Sequence, residues 1–420
     1  MTNSTTNTIR ELLIEQAFNR CTTRHERQCS ALSDQDFLMF GVERVIEMNI
    51  SGRDILQARA DGGGDEIARS TYFDALQSNR RRSYVSEVSK RFFDYTRARL
   101  KAQGVDYLAP FEELKGYDVY AGDGHYIEHA CHTAKVDGKI PSAPGNIFLM
   151  ELRYGIMQLF ANASDGSRKN HEMPIFRKCV ERELSPSKQI YVLDMAFIGY
   201  GWWLSRANRN QYVVSRVRGG DAAVRYCGEH DFDRANPTNA GVVRDRSGAF
   251  SSGGRAVRII EYIDPENGEE FMFYTTLGRS IKPGVICRLY FLRWQIEKSF
   301  DCFKNSLRER KAWATGSVAI EIQGLIMTLV FNFERLLLGI LKTDHGISDT
   351  KAEKKYKNDL DKRQTKAKAI GRFVHPLMWV ASRISRFSEQ FIRVIRNHFM
   401  RDTTLADLLG LFAKRMAAYL

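Results

Sequence analysis

The chain has 420 residues, 43% of them hydrophobic and 27% charged, and carries a net charge of +13. That length buries a substantial core in two or three structural units, and the composition excludes a disordered chain. The positive balance points to a polyanionic partner, nucleic acid ahead of an anionic membrane surface, because clustered Lys and Arg release counterions condensed on phosphates. Seven cysteines, Cys21, Cys29, Cys131, Cys179, Cys227, Cys287 and Cys302, are odd in number and include no C-x-x-C pair, so a reducing cytosol suits them and a zinc framework does not. The start MTNSTTNTIRELLIEQ lacks a signal-peptide pattern, and GLIMTLVFNFERLLLGIL is broken by Asn332, Glu334 and Arg335. Neither export nor a membrane span is expected.

In chain order, residues 1 to about 100 read as helical. Ser51 and Asp54 form a candidate capping box, and Ala68, Tyr72, Ala75 and Leu76 share one face of a second helix after the break Gly62-Gly63-Gly64. Arg80, Arg81 and Arg82 follow, either as part of a helix-turn-helix DNA reader or as the solvated basic end of a helical hairpin. From about Tyr107 the pattern turns to strands, in YDVYAGDGHYIEHA and NIFLMELRYGIMQLFANA, with VDGKIPSAPG as the loop between them. HEMPIFRKCVERE reads as a helix, KQIYVLD as a buried strand, GYGWWLSRANRN as a helix and QYVVSRV as a strand. AVRIIEYIDPENGEEFMFYTTL is a hairpin around Pro-Glu-Asn-Gly. Its aromatics Phe271, Phe273 and Tyr274 suit either a core or a flipped base.

YFLRWQIEKSFDCFKN, residues 290–305, reads as one helix. At 100° per residue, Tyr290, Arg293, Glu297 and Lys304 fall within a band about 60° wide, beside an apolar stripe that includes Leu292, Ile296, Phe300 and Phe303. Helices continue to Leu420 around KAEKKYKNDLDKRQTKAKAIGR, where nine basic and three acidic residues supply 9 − 3 = 6 of the net positive charge. That segment reads as a solvated linker or a DNA-contacting arm.

Three acids stand out. Asp123 follows an apolar strand between Gly122 and Gly124, Asp194 ends the most apolar strand, and Glu297 rides on an amphipathic helix. A turn Asp, a helix cap and a surface pair with Arg293 are the plain structural alternatives. Taken together, two strand-borne aspartates and a helix-borne glutamate form an all-oxygen donor set suited to Mg2+ or Mn2+ and able to hold two ions across a phosphorus.

The spacing Tyr290-x2-Arg293-x3-Glu297-x6-Lys304 resembles the Y-R-E-K signature of a branch of bacterial insertion-sequence transposases, DDE enzymes on a ribonuclease-H-like fold. LDMAFIGYGWWLSRANRNQYVVSRV is similar to the block around that family's second Asp. The resemblance implies an α/β, ribonuclease-H-like mixed sheet with flanking helices. It makes Asp123, Asp194 and Glu297 the catalytic, metal-binding triad for two Mg2+ ions, with Mn2+ as substitute, and gives Tyr290, Arg293, Lys304 and Trp294 to DNA. His125 and Met195 stand where the family usually has a small hydroxyl residue and a basic residue.

The expected organisation is a helical, DNA-binding region over 1–100 and a catalytic domain over 101–217 and 284–315. A β-rich insertion over 218–283 separates its two parts, and a helical region over 316–420 serves DNA contact or dimerisation. The implied activity is cleavage at the terminal inverted repeats of the element by metal-dependent hydrolysis, then transfer of the 3′-OH ends to target DNA. It implies a homodimeric synaptic complex on double-stranded DNA in the cytoplasm, at the nucleoid and with no membrane. A structure-selective nuclease with the same acids, or a non-catalytic DNA-binding descendant, are the alternatives.

Overall fold

The computed structural model describes residues 8–13, 31–47, 50–64, 66–127, 145–162, 172–182, 187–217, 224–250, 256–305, 309, 311–343, 350–372, 374, 398–399, 401 and 403–411. The expected loop at 136–144 lies outside them. The N-terminal part is helical: α1 (Ile9–Leu13), α2 (Asp34–Ile46), α3 (Gly52–Asp61), α4 (Arg69–Leu76) and α5 (Asn79–Ala102). Ser33 and Ser51 cap α2 and α3, accepting from the Asp36 and Asp54 N–H groups at 3.0 and 3.1 Å, so orphan donors of each first turn are satisfied. On α5, Tyr84, Val85, Val88 and Phe92 recur at helical spacing and are buried.

Arg80, Arg81 and Arg82 do not form a solvated basic end. Arg80 forks onto the fully buried Asp34 with two 2.7 Å hydrogen bonds, Arg81 donates to the Leu32 carbonyl at 2.6 Å, and Arg82 pairs with Glu321 at 3.3 Å. A carboxylate with no exposure needs such partners, and Arg80 supplies them, with Arg81 3.7 Å from the same carboxylate.

The sheet is built from β1 (Tyr117–His125), β2 (Asn146–Glu151), β3 (Ile156–Asn162), β4 (Lys188–Leu193), β5 (Gln211–Val217), β6 (Val224–Glu229), β7 (Val242–Phe250), β8 (Ala256–Ile263) and β9 (Glu270–Thr275). Its order is β3-β2-β1-β4-β5-β9-β8-β7-β6. β1 runs antiparallel to β2, and β2 to β3, while β1, β4 and β5 are parallel. Three antiparallel strands followed by two parallel ones is the ribonuclease-H-like order. The strands of the 218–283 segment extend this sheet, because β9 pairs antiparallel with the otherwise open edge of β5, from Val214↔Thr275 to Val217↔Met272.

α6 (Glu172–Arg182) and α7 (Tyr200–Ala207) cover one face through Phe176 and Trp203, which pack with Tyr120, Tyr191, Leu193 and Val213. The other face carries Val119, Ala121, Ile190, Val192 and Val214, in one core with α8 (Pro283–Leu292), α9 (Trp294–Asn305) and α10 (Ser317–Thr343). Strand alternation divides these residues between the faces.

α10 is long and apolar enough by composition to cross a membrane, yet 94% of its apolar window is buried inside this fold. Its polar Asn332 is satisfied within the fold: the side-chain amide donates to the Met157 carbonyl and accepts the Met157 N–H, both at 2.8 Å, tying α10 to β3. α11 (Thr350–Ala369) carries the basic segment; Arg363 pairs with Glu266 at 3.4 Å and Arg372 donates to the Glu266 carbonyl at 2.9 Å, at the β8–β9 turn. Lys357, Lys362, Lys366 and Lys368 are exposed.

Candidate active site

The site forms where the β1–β4 ladder ends. Gly122 pairs with Leu193 across the parallel ladder, so the next residues, Asp123 within β1 and Asp194 just past β4, stand on neighbouring strands at one level. Asp123 has the parity of Val119 and Ala121, and Asp194 that of Ile190 and Val192, so both turn to the α8–α9 face. At Gly122 the backbone lies so close to its neighbours that an added Cβ would stand 2.7 Å from Leu193 Cδ2. Asp194 precedes a short 3-10 turn, Met195–Phe197, and makes no side-chain cap bond to it. Its carboxylate is therefore not spent as a cap.

The helix expected across residues 290–305 is two helices, α8 and α9, joined at Arg293. The Arg293 N–H is shared between the carbonyls of Leu289, at 3.2 Å, and Tyr290, at 3.1 Å, and the Ile296 N–H returns to the Arg293 carbonyl at 3.0 Å. These i→i+3 bonds tighten one turn. The change coincides with a change of environment: every residue of α8 is buried, whereas α9 opens on Trp294, 53% exposed.

Arg293 stands at the centre. Its side chain is 4% exposed, and its guanidinium lies 2.7 Å from Glu297 Oε1, 3.3 Å from Asp123 Oδ2 and 4.0 Å from Asp194 Oδ1. The Tyr290 hydroxyl donates to Asp194 Oδ1 at 3.3 Å, and the Arg293 guanidinium lies 5.4 Å from the Tyr290 ring centroid. The Gly124 N–H donates to Asp123 Oδ1 at 2.8 Å. Burial pushes the Asp123 carboxyl up to about 6; Arg293 and the Gly124 N–H oppose this, and the charges of Glu297 and Asp194 add to it. Burial likewise raises the Tyr290 hydroxyl, keeping it a protonated donor.

The three acids, far apart in sequence, are thus gathered around one guanidinium. Arg293 and Tyr290, expected to face phosphate, turn toward the acids, whereas Trp294 and Lys304 are exposed on α9 beside them. Phe273 and Tyr274 are both buried: Phe273, 5.1 Å from the Tyr290 ring, backs the site as core, and Tyr274 packs on the opposite face in the α6–α7 layer. Among the described residues no three His, Cys, Asp or Glu side chains stand as a finished ion site. The donor set fits a hard divalent ion nevertheless: three carboxylates converge, and Asp194 and Glu297 keep 37% and 36% of their side chains exposed. A cation, the guanidinium, already occupies the position between them.

Sequence reasoning missed His125 and Glu309 as partners, a buried pair 184 residues apart that adjoins the site. No local pattern links residues at that separation.

Residues 155–333 match the family model of the transposase DDE domain. The matched range contains Asp194, Tyr290, Arg293, Glu297 and Lys304, and begins after Asp123. No curated protein matches the chain. Among solved structures, a piggyBac transposase synaptic complex with hairpin DNA, solved by cryo-electron microscopy, is similar at 10% identity and a TM-score of 0.34. That likeness covers 91% of this chain and 78% of the other.

Proposed function

We propose that this protein is a DDE transposase of an insertion sequence, of the bacterial Y-R-E-K branch. It binds the terminal inverted repeats of its element, cleaves DNA by metal-dependent phosphodiester hydrolysis and joins the 3′-OH ends to target DNA. The observation that carries the reading is the convergence of Asp123, Asp194 and Glu297 within 4.0 Å of the single buried guanidinium of Arg293. A transposase domain match over 155–333 supports it.

Asp123 and Asp194 would hold divalent Mg2+ or Mn2+ from neighbouring strands, and Glu297 from the first turn of α9. The chemistry such a pair would supply is activation of the attacking oxygen and stabilisation of the leaving one. The chain's own groups do the rest. The Phe273–Tyr290 contact fixes α8, and the buried stripe of α9 fixes the helix that carries Glu297. Tyr290 orients Asp194 through its hydrogen bond. Arg293 neutralises the acids in the metal-free chain, and its planar fork suits a DNA phosphate once cations share the acids. Lys304 adds a point charge further along α9, and exposed Trp294 offers a ring on which a base can stack. The N-terminal helices and α11 grip the element's ends in a dimeric synaptic complex at the nucleoid.

The test is a fragment carrying the element's own inverted repeats, incubated with the protein, Mg2+ and a target plasmid. Cleavage at the repeats followed by joining is the expected result. Cleavage without joining supports the nuclease reading, and binding without either product the non-catalytic one.

A further inference from the structure

His125 lies two residues beyond Asp123 on the same face of β1, and its side chain is 3% exposed. Its Nε2 is 2.9 Å from Oε2 of Glu309, equally buried. The ring stacks on Phe300 at 4.7 Å and meets Phe148 and Phe303 edge-on at 6.1 and 6.0 Å. Glu309 carries the connection onward. Its other oxygen accepts from Gln323 Nε2 at 3.1 Å, and its N–H donates to the Phe303 carbonyl at 2.9 Å. Gln323 in turn accepts the Trp313 N–H at 2.9 Å and donates to the Lys311 carbonyl at 3.2 Å. One chain of side chains thus ties β1, the end of α9 and α10 together.

Core packing alone does not call for this arrangement. Burying a polar pair costs desolvation that apolar residues of similar volume avoid, so such a pair adds little net stability. What it adds is direction, since fully satisfied hydrogen bonds fix one geometry where apolar contacts permit several. The strand end that it grips carries Asp123, and the helix that it grips carries Glu297, one turn before Phe300.

We infer that His125, Glu309 and Gln323 form a strut that sets the separation between Asp123 and Glu297 and so tunes the affinity of the acid cluster for a divalent cation. They act as positioning residues. The inference rests on the reading of the three acids as metal ligands.

Mn2+ binding to the full chain without DNA, followed by electron paramagnetic resonance, tests it on wild type, His125→Phe, Gln323→Met and Glu309→Gln, with thermal melting in parallel. His125→Phe keeps the stack on Phe300 and loses the hydrogen bond; Gln323→Met cuts the far end. Both are expected to weaken Mn2+ binding tenfold or more at a temperature where they remain folded, the scale seen when partners behind metal ligands are removed. Glu309→Gln has one accepting oxygen where Glu309 uses two, so it loses the bond to His125 or the bond from Gln323 and is expected to weaken Mn2+ binding in the same way. A lowered melting temperature with unchanged Mn2+ affinity in His125→Phe would overturn the strut and leave only packing. If His125→Phe does not fold, Gln323→Met decides by the same criterion. A wild-type chain that binds no Mn2+ overturns the metal reading and the strut with it, whereas equal binding by wild type and variants overturns the strut alone.

Discussion

The guanidinium of Arg293 lies 2.7 Å from the carboxylate of Glu297, four residues on, at the joint where α8 gives way to α9. The same side chain, 4% exposed, also faces Asp123 and Asp194. A pair for which spacing alone also allowed a plain surface contact is therefore the centre of a partly buried cluster with three acids and one base.

Removing that base leaves three carboxylates to repel one another. Arg293→Met is expected to destabilise the metal-free chain by on the order of 1–3 kcal/mol, less than for a fully buried pair because two of the acids are about a third exposed. Mg2+ should then raise the melting temperature of the variant more than that of wild type. Melting curves with and without Mg2+ read both effects; an equal Mg2+ shift in the two proteins would count against the cluster.

The Asp123 carboxyl, at about 6 in the fold against an ordinary value of 3.8, binds its proton more tightly folded than unfolded. Its contribution to stability is therefore fully present below about 4 and is lost as pH rises through about 6. Asp123→Asn cannot titrate. In metal-free buffer, the stability of Asp123→Asn relative to wild type is expected to rise by roughly 2 kcal/mol between pH 4 and pH 7. Urea unfolding at a series of pH values checks this, and a difference that stays constant across that range would contradict it.

Asn332 satisfies both the N–H and the carbonyl of Met157 at 2.8 Å from inside a largely apolar helix. Asn332→Leu leaves both backbone groups buried without that partner. A loss of about 2–4 kcal/mol is expected by chemical denaturation, since each orphaned group costs roughly 1–3 kcal/mol. A Leu variant as stable as wild type would show that the groups find other partners.

Lys357, Lys362, Lys366 and Lys368 are exposed on α11, which meets the β8–β9 turn through Arg363, with Arg372 doing so just past its end. By the ladder register, that turn projects past the level of Leu193, on the side of the sheet where Asp194 emerges. If these lysines meet DNA phosphates, replacing all four with Ala should lower the slope of log Kd against log salt by about 3 to 4, near 0.9 per contact. An unchanged slope would make the helix a solvated surface.

Much of this was legible in the sequence. KQIYVLD is continuous and apolar because β4 is buried on both faces, and PENG marks the β8–β9 turn, where Gly268 has a φ of +80°. The periodicity that gathered Tyr290, Arg293 and Glu297 also identified residues that meet in space. Periodicity could not reveal the joint at Arg293, since its backbone stays in the right-handed helical region and only the hydrogen-bond pattern tightens. Nor could it show that Arg293 turns inward, because that orientation depends on Asp123, 170 residues away. The solvated end that the sequence allowed for Arg80 fails for the same reason: its partner Asp34 lies 46 residues back. The pairing of β9 with β5 is likewise a long-range choice, made by an open strand edge rather than by any local signal.

The most direct measurement of the central claim is Mg2+-dependent cleavage of a DNA fragment bearing the element's own ends, comparing wild type with Glu297→Gln. The substitution keeps the size of the side chain and removes its charge. The expected result is retained binding of the fragment with cleavage reduced at least a hundredfold; cleavage by Glu297→Gln at the wild-type rate would contradict the assignment of Asp123, Asp194 and Glu297 as the catalytic triad.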